Sequence, residues 1–109
     1  MTITETVKKL AQVHCTGGAP ELFYEVPSGV QAVVKNIHIL NLIAGTTSAF
    51  GLWQGEVDND HIIFPGLAYL QPGEFAMFDG NITMSGLDRL YIAADTGSIV
   101  ATAHGIEFS

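Results

Sequence analysis

Positive charge is scarce in this chain. Of 109 residues only four are Lys or Arg (Lys8, Lys9, Lys35 and Arg89), against eleven Asp and Glu, for a formal net charge of −7 and an isoelectric point near 4.7. Binding a phosphate backbone needs clustered cations that displace counterions, and these four make no stripe along one element. That counts against nucleic acid as a partner, and against an anionic membrane surface. Cysteine is scarcer still. The one thiol, Cys15, excludes an intrachain disulfide and any multi-cysteine metal site. Long apolar runs are absent: none approaches the roughly 20 residues of a membrane-spanning helix. The opening MTITETVKKL has no apolar core of a secretory signal. Synthesis in a cytoplasm, without classical export, is the expectation.

Chemical motifs are also missing. The four histidines, His14, His38, His61 and His104, are too far apart for the HxH or HxxxH pairs that begin most metal sites. Cys15, His104 and an acid make a nucleophilic set only on paper, because no local motif supports it. Glu56, Asp58, Asn59 and Asp60 fail the calcium-loop spacing, which wants Gly sixth and Glu twelfth. Counted from Glu56, those positions hold His61 and Leu67. The cluster reads as a turn, with a loose ion site in the Asp58–Asp60 loop as the alternative. The same turn displaces a glycosidase-type carboxylate pair of Glu56 with Asp58 or Asp60. Nucleotide-binding glycine loops are absent. No catalytic residue, cofactor or metal ligand is assigned, and the chain is expected not to be an enzyme.

What remains is apolar and β-forming. Hydrophobic residues make up 48%, charged residues only 14%, and the mean hydropathy is +0.33. A small domain has much surface for its volume, so such a chain exposes apolar surface or buries it in an assembly. A homo-oligomer is expected. The stretch Leu22–Asn41 shows the pattern well: apolar runs Leu22–Val26 and Val30–Leu40 flank the turn Pro27-Ser28-Gly29. Strict alternation over the second run puts Ala32, Val34 and Leu40 on one face and Val33, Ile37 and Ile39 on the other, so both faces need cover.

Glycine, proline and Asx clusters cut the rest into similar pieces. Strands are expected at 7–15, 22–26, 30–41, 50–57, 61–70 (interrupted at Pro65-Gly66), 74–78, 90–94 and 98–108. Asp79-Gly80 reads as a turn and 82–87 as a connector. About eight short strands with turns at short intervals predict an all-β fold: a single β-sandwich, jelly-roll-like, spanning residues 1–109, with 1–8 a candidate N-terminal arm. Strand order stays open, since jelly-roll and Ig-like sandwiches share this count. Val34, Ile37, Ile39, Trp53, Phe78, Leu90 and Ile92 are expected in the core, and the aromatic residues are read as core more than as a sugar-stacking platform.

Several short segments carry a resemblance. Tyr24-Glu25-Val26-Pro27-Ser28-Gly29 leads into the long strand Val33 to Asn41. Pro72-Gly73-Glu74-Phe75, Gly86-Leu87-Asp88 and Gly105-Ile106-Glu107 follow. In this order they resemble small β-sandwich virion proteins of tailed bacteriophages, known as capsid decoration (cement) proteins and as small tail or neck components. The resemblance implies a structural role in a particle and no catalysis. Expected, therefore, is a decoration protein of the virion that stabilises the head, as a homotrimer at threefold sites on the major capsid protein. A tail, neck or baseplate component is one alternative. Another is a carbohydrate-binding jelly roll built around Trp53 with Gln54, Glu56 and Asp58. The acidic balance suits an outer capsid face. Candidate interface residues are Ile3, Val7, Leu10, Leu42, Ile43, Phe50, Phe64 and Leu67.

Overall fold

Runs rich in β-branched and aromatic residues, set between turn residues, become strands throughout. The computed structural model describes residues 8–42, 48–56, 62–63, 68–71, 73–95, 97 and 99–108. The strands are β1 (Lys8–His14), β2 (Glu21–Glu25), β3 (Gln31–Asn41), β4 (Ser48–Gln54), β5 (Ala68–Leu70), β6 (Phe75–Ser85), β7 (Arg89–Ala94) and β8 (Ile99–Phe108). They form two four-stranded antiparallel sheets. Sheet I has the order β1-β8-β3-β6 and sheet II the order β2-β7-β4-β5. First pairs with last, second with seventh, third with sixth and fourth with fifth. That is the order of a long hairpin rolled into a sandwich, the jelly roll. The β-sandwich expectation holds, and the strand order left open by the sequence is a jelly roll.

The inner faces meet in one apolar cluster. Ala32, Val34, Ile37, Ile39, Ile82, Met84, Ile99, Ala101 and Ala103 come from sheet I. Phe23, Tyr24, Phe50, Leu52, Leu70, Leu90, Ile92 and Ala94 come from sheet II. Five of the seven expected core residues are fully covered, while Trp53 and Phe78 are half-buried. The turn Pro27-Ser28-Gly29 closes with Val30 N–H donating to the Pro27 carbonyl at 3.1 Å, and Gly29 takes φ 78°. A side chain at that φ would clash with its own backbone, which is why glycine stands there.

Two sequence expectations fail at the same place. Strict alternation separates Val34 from Ile37, yet both are fully buried. Between Val34 and Asn36 the ladder shifts on both sides, and Lys35 is the extra residue against β8. That bulge resets the phase of β3, so its outer face is not a second core face. The predicted turn at Asp79-Gly80 is likewise a bulge. β6 runs unbroken from Phe75 to Ser85, with Gly80 and Asn81 standing where β3 has Lys35 alone.

The irregularities line up across sheet I. β1 carries Leu10 as an extra residue between the rungs of Lys9 with His104 and Ala11 with Ala103. β3 carries Lys35 between the rungs of Val34 with Gly105 and Asn36 with His104. Lys35 Nζ donates to Asn81 Oδ1 at 2.7 Å across to β6. The result is a crease running over all four strands beside Gly105. Gly105 allows the close approach: a Cβ there would overlap the Val33 carbonyl oxygen and lie 2.9 Å from Leu10 Cδ1.

One end of the sandwich is tied shut. Tyr24 on sheet II donates its hydroxyl to Glu107 Oε2 on sheet I at 2.5 Å, and Lys8 Nζ lies 2.7 Å from Glu107 Oε1. Burial first, then the carboxylate beside it, push the Tyr24 hydroxyl above the ordinary tyrosine range. Hydrogen bonds from Lys8 and then Tyr24 hold Glu107 below the usual carboxylate range.

Candidate interaction surface

Register places the outward residues of sheet I in rows. His14, Val100, Leu40 and Phe75 make one row, and Gln12, Thr102, His38 and Met77 the next. The third row holds Lys9, His104, Asn36 and Asp79. The first two rows are largely apolar at the β6 side. Phe75 and Met77 are 59% and 50% exposed, and His38 stacks on Phe75 with ring centroids 5.1 Å apart. Leu42, 52% exposed, extends the β3 line two residues beyond Leu40. These three large exposed apolar side chains share one corner. Leu22 and Leu87, the other well-exposed ones among the described residues, stand apart on β2 and on the β6–β7 turn. Contiguous exposed apolar patches mark interaction sites, whereas scattered apolar residues carry no such meaning.

Of the expected interface residues, Leu42 stands in this corner. Phe50 does not belong to any surface: it is fully buried on the inner face of β4. Its position directly after a loop suggested exposure, but the strand begins at Ser48, two residues earlier. Leu10 is half-buried and packs against the core, because the β1 bulge turns it inward over Gly105. Ile3, Val7, Ile43, Phe64 and Leu67 lie outside the described residues, as do His61 and the Asp58–Asp60 loop. Lys8, given above to the candidate arm, is already in β1 and pairs with Gly105. Phe75 and Met77 were missed. The signal was present in Phe75-Ala76-Met77-Phe78, which is apolar on both pleat faces.

Chemistry elsewhere is sparse. Among the described residues no group of three or more His, Cys, Asp and Glu could hold a metal ion. Cys15 is buried, and burial followed by the nearby Glu21 push its thiol up to about 11. A thiol held protonated in this way is a poor nucleophile near neutrality. An open cavity of about 310 Å³ is lined by Gly18, Ala49, Ala93, Ala94 and Asp95. Asp95 Oδ1 there already accepts from Ser48 Oγ and from Ala49 N–H, each at 2.9 Å. Trp53, the proposed sugar platform, lies over its own strand: a Cβ on Gly51 would come 2.5 Å from the indole Cη2.

No family model matches the chain. No curated protein matches it either. Among solved structures, a chain in the structure of infectious bursal disease virus Gx strain is similar over 98% of this chain, with 9% identity and a TM-score of 0.46. This chain spans 40% of that neighbour's length.

Proposed function

We propose that this chain is a structural protein of a virion, and within it a capsid decoration (cement) protein that binds the major capsid protein from outside. The observation that carries the reading is the apolar corner of Leu42, Phe75 and Met77 on the outside of a jelly roll. A protein that stabilises a particle needs a rigid fold, a contact surface and no reactive chemistry. The acidic remainder of the molecule then faces solvent, and attraction to the particle comes from apolar burial. Charge screening by salt does not weaken apolar burial, whereas it weakens surface ion pairs.

The test is to purify the particles, quantify the copies of this protein by mass spectrometry, strip it off and rebind it at low and high salt. Copy number in step with the capsid lattice, and rebinding that survives high salt and weakens in Phe75→Ser/Met77→Ser, support the reading. A few copies per particle would move the protein to the tail, neck or baseplate. Absence from particles would overturn the virion role.

A further inference from the structure

We propose that the free edge of β6 pairs with β6 of a second copy of this chain, antiparallel about a two-fold axis, joining two copies of sheet I into one eight-stranded sheet. The proposal goes beyond the particle reading and stands or falls without a particle.

The hydrogen-bond direction opens the edge at the apolar corner. Asn41 N–H donates to the Glu74 carbonyl at 3.1 Å, so this rung is bonded toward β3. Antiparallel rungs alternate, which turns Ala76 and Phe78 toward β3 and leaves the N–H and C=O of Phe75, Met77 and Asp79 facing outward. Among the described residues no strand pairs with that side. Such an edge is normally blunted by shortness, charge, proline or a bulge. The other three edges are blunted. β1 carries Lys8 and Lys9 and a bulge, β2 has five residues and a bulge, and β5 has three residues. The far half of β6 has its own bulge at Gly80 and Asn81. Phe75 to Phe78 has no such device.

Neither pleat face at this edge is fully covered. Phe75 and Met77 point outward and are exposed, while Ala76 and Phe78 point inward and are only half-buried. A neighbouring strand covers both faces at once, which a partner docking on one face does not.

Charge selects the partner. The strands of sheet I hold Lys8, Lys9 and Lys35 against Asp79 and Glu107, a formal +1. The rest of the chain holds Arg89 against nine acids, a formal −8. Sheet I is close to neutral, so two copies of this chain meet there at less like-charge cost than through the acidic remainder, the cost that is left being Glu74 of each copy diagonal to Asp79 of the other. A basic partner would be drawn to the acidic remainder instead. An antiparallel strand edge is complementary to itself under a two-fold. With Ala76 on the axis, Phe75 of one copy faces Met77 of the other, the outward-bonding residues match, and Asp79 is kept away from its mate. A two-fold gives a dimer, where the threefold site implied by the resemblance calls for a trimer.

Sedimentation equilibrium of the full chain tests this, with the fold checked by far-UV circular dichroism. The expected result is a dimer. Met77→Pro removes an N–H that faces the free edge and leaves the β3 rungs intact, so the variant should fold and its dimer dissociation constant should rise by about tenfold or more. Phe75→Lys/Met77→Lys, which adds the missing guards, should do the same and decides the matter if the proline variant fails to fold. A monomer at high micromolar concentration, a trimer, or a dimer untouched in the folded variants would each overturn the proposal. Failure here leaves the virion reading standing, because the particle assay does not depend on a dimer.

Discussion

β6 crosses the crease of sheet I once, and its two halves differ. Beyond the crease, Asn81, Thr83 and Ser85 point to solvent while Ile82 and Met84 are buried. Before it, the outward residues Phe75 and Met77 are apolar and exposed, and the inward Ala76 and Phe78 are only half-covered. Both halves pair with β3, one on each side of the bulge. The far half is a complete strand, with polar atoms outside and apolar atoms sealed by the opposite sheet. The near half has apolar side chains on both sides and covers neither fully. Alternation tells which residues share a face. It does not tell whether the chain itself supplies the cover, and where it does not, the missing cover points to another molecule.

The contrast can be broken most sharply at Met84, which is 1% exposed in the complete half. Met84→Ala should cost about 2–5 kcal/mol in urea unfolding, the range for a large side chain removed from a core that relaxes little. A cost as small as that of a surface change would show that this half is not sealed.

The tie at the same end gives the next effect. Tyr24→Phe removes a donor to a carboxylate and should cost about 1.5–3 kcal/mol at neutral pH. The pH profile sharpens it. Glu107 is held below its ordinary value, so its contribution is present above about pH 4.3 and is lost as pH falls through the lowered value. Tyr24 is raised, so its contribution is present below about pH 10 and is lost as pH climbs toward the raised value. The variant should lose the alkaline limb and part of the acid limb. The rest of the acid limb belongs to the ion pair of Lys8 with Glu107, measurable as unfolding free energy against pH.

Smaller effects belong to the incomplete half. Phe78→Ala should cost about 1 kcal/mol in the isolated chain, because only part of the ring is covered. A cost equal to that of Met84→Ala would erase the difference between the halves. Phe75→Ser should shift stability by less than about 0.5 kcal/mol while weakening association. If it unfolds the protein instead, the apolar corner is part of the core and not a contact surface.

The strands were largely legible in the sequence because turn residues are local. Pro27-Ser28-Gly29 marks a break whatever the rest of the chain does, whereas the connector expected over 82–87 is mostly strand, because β6 continues to Ser85 with Ile82 and Met84 in the core. The bulges were not legible. Asp79-Gly80 looks the same whether the chain turns or merely gains a residue, and only the pairing with β3 decides. The same holds at Lys35, where one extra residue moved Val34 and Ile37 onto one face against simple alternation. The apolar corner proposed as an interaction surface was half legible. Leu42 suggested itself at a strand end, but Phe75 and Met77 sit in a run apolar at every step, and sequence alone cannot say which pair faces in. His14, His38 and His104 are far apart in the chain and yet share the outer face of sheet I, which register alone brings about.

Gly105 carries a consequence for how this protein can change over generations. Strand β8 lies between β1 and β3, and at this residue the backbone of β3 and the side chain of Leu10 press in from either side. No rotamer choice relieves a clash with a backbone oxygen. Mutational drift can therefore exchange Thr102, His104 or Ile106, whose side chains point outward, but it is expected to stop at position 105. In a saturation library selected only for folding, that glycine should persist where its neighbours vary freely. Two distant descendants of this chain would share it after most of their other residues had diverged.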